Sequence, residues 1–162
     1  MKGIALTAEH QAVLDSFLWE ALWDPPSGPR RGKEVLLNPH VRAYVDDWAS
    51  RPDDLGFALK TESGEILGVV WSRLLLPPYS GGAFYDERTP QLGIAVAEAH
   101  RGKGLGSELM SLYINAARER FPGVSLGVHP ENPARKLYER FGFEIFAEGG
   151  GGYLNLLLRF TK

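Results

Sequence analysis

The residues best suited to chemistry in this chain are His100-Arg101-Gly102-Lys103-Gly104-Leu105-Gly106-Ser107. They lie between an apolar run, Leu92–Val96, and a stretch from Gly104 to Arg120 whose apolar residues recur at helical spacing. A strand, a glycine-rich basic turn and a helix in that order make an anion site. Glycines let the backbone turn its N–H groups toward a ligand, and the first turn of a helix leaves N–H groups unpaired and partly positive. Arg101 and Lys103 add full positive charges. The ligand this predicts is a phosphate, which at such a loop usually belongs to a cofactor.

Two familiar phosphate motifs fit poorly. A nucleotide P-loop needs a lysine directly after its last glycine, and Gly106 is followed by Ser107. A dinucleotide fold needs G-x-G-x-x-G, whereas Gly102, Gly104 and Gly106 give G-x-G-x-G. Ser107 does not sit in G-x-S-x-G, and although Gly123-Val-Ser125-Leu-Gly127 spells it, Ser125 falls inside an apolar run read as a strand rather than at a strand-to-helix turn, so both are poor hydrolase nucleophiles.

The elements that must position this loop can be read on either side of it. Thr7 caps a helix expected over 8–23, with Leu14, Phe17, Leu18, Ala21 and Leu22 on its apolar face, stopped by Asp24-Pro-Pro-Ser-Gly-Pro29. Asn38-Pro39 opens a second helix, with Val41, Tyr44, Val45 and Trp48 on one face. Strands are expected over 55–61 and 65–75 around the turn Glu62-Ser63-Gly64, then over 92–96 and 124–128. A long loop runs from Pro77 to about Pro90. Asn132-Pro133 starts a short helix with Ala134, Leu137, Tyr138 and Phe141 on one face, ended by Gly142 in a left-handed conformation. Strands over 143–147 and 153–160 close the chain around Glu148-Gly-Gly-Gly-Gly152. This order predicts an α+β, or mixed α/β, domain built on one sheet.

The chain has 162 residues, which suits a single domain over 1–162. Hydrophobic residues make up 44% and charged residues 23%, so a folded globular chain is expected rather than a disordered one. The absence of cysteine excludes disulfides and thiolate zinc sites. The four histidines lack H-E-x-x-H spacing, and no metal is expected. The net charge of −2, with signs well mixed, argues against a nucleic-acid partner. Apolar runs are too short to span a bilayer and the N-terminus lacks a signal-type apolar core, so no membrane partner and a cytoplasmic location are expected.

Arg101-Gly-Lys-Gly-Leu-Gly106 also matches [Q/R]-x-x-G-x-[G/A], after a strand ending Ile-Ala-Val. In this it resembles the acyl-CoA loop of the GNAT superfamily of N-acetyltransferases. Asn132-Pro-Ala-Arg-Lys-Leu-Tyr-Glu-Arg-Phe-Gly-Phe143 resembles the segment N-x-x-A-x-x-L-Y-x-x-x-G-F of the same superfamily. One departure is that Asn132 stands six residues before Tyr138, where seven is commonest, and Glu131 occupies the usual asparagine place.

The resemblance implies a mostly antiparallel twisted sheet of six to seven strands, splayed between the fourth and fifth, with about four flanking helices and a first strand near 2–6. It implies acetyl-CoA as cosubstrate, with no metal, and transfer of acetyl to a primary amine of a small molecule or peptide in a ternary complex. Arg101, Gly102, Lys103, Gly104, Leu105, Gly106 and Ser107 would hold the pyrophosphate. The backbone of Ile94, Ala95 and Val96 would pair with the pantetheine arm, with Gly93 marking a bulge, and Asn132 would add a contact. Tyr138 would be the general acid, although on its own the apolar stripe it shares with Leu137 and Phe141 would make it a core aromatic. The fourth and fifth strands offer no carboxylate. Glu87 in the long loop and His129 therefore remain as base candidates, beside Asp86, Glu98 and a route through water. The acceptor pocket would be lined by Trp23–Arg31 and Pro77–Thr89. A homodimer is common in the superfamily. The missing strand carboxylate motivates the alternative of an acyl-CoA-binding regulatory or partner-binding domain.

Overall fold

A computed structural model describes residues 1–161. Seven strands form one sheet in the order β1-β2-β3-β4-β5-β7-β6. They are β1 (Lys2–Ala5), β2 (Leu55–Lys60), β3 (Ile66–Arg73), β4 (Gln91–Val96), β5 (Gly123–Val128), β6 (Glu144–Glu148) and β7 (Leu154–Arg159). Every neighbouring pair is antiparallel except β4 and β5. The helices are α1 (Gln11–Ala21), α2 (Pro39–Arg42), α3 (Leu105–Ala117) and α4 (Ala134–Arg140). None is long and apolar enough to cross a membrane.

The alternating side chains of the strands build a core on each face of the sheet. On one face Leu14, Phe17 and Leu18 of α1 meet Val69 and Trp71 of β3, Ala95 of β4, and Val45 and Trp48. On the other, Leu109, Met110 and Tyr113 of α3 and Tyr138 of α4 meet Val70, Leu92, Val124 and Leu126. Of the stripe read from the sequence in the first helix, Leu14, Phe17 and Leu18 are buried as expected and Ala21 and Leu22 are half-buried, while α3 buries Leu105, Leu109 and Tyr113. The turn before β3 also behaves as expected, with Gly64 at φ 96°, a region that favours glycine.

The first helix region is shorter than expected. A 3₁₀ turn, Ala8–His10, precedes α1, with Thr7 as its cap. The second region departs further, because α2 is a single turn and the chain continues to Ala49 in turns. Asp47 and Ala49 take positive φ of 51° and 70°.

The reason lies in where the carbonyls go. Side chains from α1 and β3 take five in succession. Arg73 Nη1 donates to Ala43 and Asp46, Trp71 Nε1 to Tyr44, Gln11 Nε2 to Val45, and Arg73 Nη2 to Asp47. A helix continued through Trp48 would need the first of these carbonyls for its own N–H groups. Arg73 also grips Asp54 at 2.9 Å through both Nε and Nη2, and both side chains are 1% exposed. All five guanidinium N–H groups thus have acceptors, which a buried charge requires.

Removing one member of a buried pair leaves the other charge uncompensated. Asp54→Ala is therefore expected to lower the unfolding free energy by about 3–5 kcal/mol, measured by urea denaturation.

Candidate functional site

The site begins where β4 and β5 part. Their parallel pairing consists of a single register pair, Gln91 with Ser125, with the Ser125 N–H donating to the Pro90 carbonyl at 3.0 Å. The Ala97 N–H, by contrast, donates to the Leu67 carbonyl of β3. In an antiparallel strand, successive residues point their backbone groups to opposite sides. Even-numbered residues of β4 therefore face β5, and beyond the vertex the N–H groups of Ile94 and Val96 look into an open wedge. Pairing of β3 with β4 runs without a register shift, so Gly93 marks no bulge. It makes room instead, since a Cβ there would lie 2.6 Å from the Trp71 indole.

The glycine-rich loop lies at the open end of this wedge. Gly102 and Gly104 adopt φ of 77° and 80°, and Gly104 is the left-handed residue from which α3 starts. The first N–H of this region to find a partner is that of Glu108, which donates to Gly104. Among the described residues, no backbone acceptor outside α3 takes an N–H from Gly102 to Ser107. The structure thus presents a run of unpaired donors at a helix N-terminus. The side chains do less than their charges suggest. Arg101 reaches back to Glu20 of α1 at 2.7 Å and to the Val96 carbonyl at 3.2 Å. Lys103 is exposed.

Helix α4 packs against the same loop. A methyl on Gly106 would come within 3.1 Å of Leu137 Cδ2, and Arg140 Nη2 lies 3.4 Å from Ser107 Oγ. Tyr138 is buried, its ring 5.8 Å from that of Phe143. Burial pushes its phenol well above the ordinary range. Its hydroxyl makes no hydrogen bond to the described residues, yet among them no sealed polar side-chain atom is left unpaired. The hydroxyl is therefore not completely sealed. Asn132 Oδ1 accepts the Ala134 N–H at 2.9 Å and so fastens the start of α4.

On the α1 face, a cavity of about 650 Å³ abuts β4 and β5. Its floor is Leu92, Gly93, Gly127 and Asn155, and its walls include Trp23, Arg31, Tyr44, Trp71 and Tyr153. Ser80 to Ala83 of the long loop complete it, fixed by side chains from three strands. Gln91 Oε1 accepts from the Ala83 N–H at 3.2 Å and Ser125 Oγ donates to the Ala83 carbonyl at 2.7 Å. Asn155 Nδ2 donates to Gly82 at 2.9 Å, and Gln91 Nε2 donates to Ser80. The Tyr44 hydroxyl donates to Gln91 Oε1, and burial pushes this phenol up to about 12.

The two base candidates are placed differently. Glu87 is exposed and does not line the cavity. The ring of His129 packs against two wall residues, 5.4 Å from Trp23 and 5.5 Å from Tyr153. Its Nδ1 accepts the Glu131 N–H at 3.1 Å, so the neutral ring carries its proton on Nε2.

Single polar residues in otherwise apolar strands, Ser125 in Val-Ser-Leu and Asn155 in Leu-Asn-Leu, were the available signal for the loop clamps. Arg140 offered none, since its partner Ser107 is distant in sequence.

The sequence matches the family model described as Acetyltransferase (GNAT) family over residues 16–143. The chain belongs to the GNAT acetyltransferase family. Solved structures of similar fold include ribosomal-protein-alanine N-acetyltransferase from Brucella melitensis (20% identity, TM-score 0.67, 98% of this chain and 99% of that one). Another is yncA from Salmonella typhimurium with its cofactor acetyl-CoA (18%, 0.66, 100% and 95%). A third is the spermidine/spermine N-acetyltransferase SpeG from Vibrio cholerae (18%, 0.61, 98% and 92%). No curated protein sequence matches significantly.

The clamp on the long loop can be tested directly. In Gln91→Leu the Ala83 amide loses its acceptor, and its hydrogen exchange should accelerate about tenfold, with β7 amides unchanged.

Proposed function

We propose that this protein moves an acetyl group from acetyl-CoA to a primary amine of a small molecule or peptide, by direct attack in a ternary complex. The observation that carries this is the run of unpaired N–H groups from Gly102 to Ser107 beside the open edge of β4. That donor set fits a pyrophosphate, and the wedge fits an extended arm that pairs with the backbone.

Acetyl-CoA supplies the activated acetyl group. Gly102, Lys103, Gly104, Leu105, Gly106 and Ser107 bind the phosphates through their amides. Arg101 contributes once it exchanges Glu20 for a phosphate oxygen, and Arg140 adds charge beside Ser107. Ile94, Ala95 and Val96 supply the strand edge. An N–H from Ile94 or Val96 can also hold the acetyl oxygen as negative charge develops there, an effect worth roughly 100–1000-fold at comparable sites. Asn132 acts through α4, whose start it caps. The amine nitrogen bonds to the acetyl carbon as the carbon–sulfur bond breaks.

Tyr138 gives its proton to the departing sulfur and is reprotonated, through water, by the proton that the new amide nitrogen sheds. A phenol is protonated at neutral pH and burial only adds to that, so Tyr138 can act as a donor and not as a base. The acceptor must arrive without its extra proton. Glu87 stands outside the cavity, and the Nδ1 lone pair of His129 is engaged, so this proton leaves through water.

Thiol release from acetyl-CoA over an amine panel, beside calorimetry with acetyl-CoA, tests the proposal. Binding followed by amine-dependent release is expected. Binding without release for any amine would favour an acyl-CoA-binding regulatory domain, and failure to bind would sink both. Tyr138→Phe should lower kcat by ~100-fold while leaving the acetyl-CoA Kd unchanged. An unchanged kcat across pH would remove Tyr138 from the acid role.

A further inference from the structure

The cavity is unevenly charged. No Asp or Glu is among the described residues that line it, and Arg31 is the one Lys or Arg that does. An acceptor rich in positive charge would find no counter-charge on these walls. The rest of the lining is mostly aliphatic, aromatic or glycine, with His40, Ser80 and Asn155 among its polar side chains and Trp23, Trp71 and Tyr153 giving broad apolar faces.

Arg31 is held in a definite pose. Asp24 accepts from Arg31 Nε at 2.7 Å and from the Arg31 backbone N–H at 3.1 Å. Asp24 is thereby engaged on the inner edge of the guanidinium, with its own side chain only 12% exposed. Nη2 makes a single long contact of 3.4 Å to the Trp23 carbonyl, and Nη1 has no acceptor among the described residues. The outer edge of the fork is open, the geometry with which arginine takes a carboxylate through two parallel hydrogen bonds.

We infer that the acceptor is an amino acid, an amine and a carboxylate joined through an apolar or aromatic body, and that Arg31 reads the carboxylate. This rests on the cavity being the acceptor site of the proposed acetyl transfer. Asp24 is then a positioning residue, setting the orientation of the fork without touching the ligand. The fixed Ser80–Ala83 wall and the Trp71 ring in the space above Gly93 leave a slot for the apolar body.

The test compares ligands that differ only in the carboxylate. Calorimetry with CoA present measures Kd for the N-acetyl products of phenylalanine and phenethylamine, and of 4-(aminomethyl)benzoate and benzylamine. The two pairs cover a short and a long spacing between the nitrogen and the carboxylate. The carboxylated member of at least one pair should bind about tenfold tighter or more. Arg31→Ala should bring that ratio close to one, and Arg31→Lys, which keeps the charge but loses the fork, should keep only part of it. No discrimination in either pair, or a ratio that survives Arg31→Ala, overturns the inference. Because product binding needs no turnover, discrimination by a protein that acetylates no amine would defeat the proposed reaction, and the acceptor role with it, while leaving Arg31 as a carboxylate reader.

Discussion

Strands β4 and β5 run parallel but pair only at Gln91 and Ser125. The remaining features of the site depend on that one rung. Had the pairing continued, the backbone groups of Ile94 and Val96 would face a partner strand, and no ligand could add itself there. The vertex is held by more than its backbone bond. The side chains of the two paired residues reach over to the same loop residue, Gln91 taking the N–H of Ala83 and Ser125 giving to its carbonyl. The contact that joins the two halves of the sheet thus also fixes the wall of the cavity beside it.

The two faces of the sheet then divide the work. On one, α3 and α4 meet at Gly106 and Leu137, which sets the helix that carries Tyr138 against the glycine-rich turn although about 35 residues separate them. On the other, Arg73 gathers the carbonyls that follow α2 and holds the chain that carries Tyr44 beside the cavity. The charge is buried so that a turn-rich segment, which helical bonding alone would not satisfy, can be held against β3. Glu20 of α1 connects the faces, since it holds Arg101 across the end of β4.

Much of this was legible in the sequence, for identifiable reasons. The stripes Leu14-Phe17-Leu18 and Leu105-Leu109-Tyr113 carry the helical period, and glycines at 64, 102, 104 and 142 stand where φ is positive. The glycine-rich turn and the segment around Tyr138 pointed to one family, and the family match spans both. What was not legible depended on long-range side-chain contacts. The helix expected through Trp48 is cut short by a guanidinium 25 or more positions later, which no local pattern encodes. Gly93 looked like a bulge because its reason, the Trp71 ring on the neighbouring strand, is visible only in three dimensions. Arg101 looked like a free phosphate ligand because Glu20, its partner, is 81 residues away.

The central claim is that the amides of Gly102–Ser107 and the free edge of β4 together form one binding surface for acetyl-CoA. Amide-resolved NMR of the protein titrated with acetyl-CoA addresses both parts at once. The account predicts that the N–H resonances of Gly102 to Ser107 and of Ile94 or Val96 shift together at one Kd and slow in solvent exchange, while those of β1 and β6 stay put. Saturable binding that leaves the Ile94 and Val96 amides unmoved, or that perturbs a different surface, would contradict it.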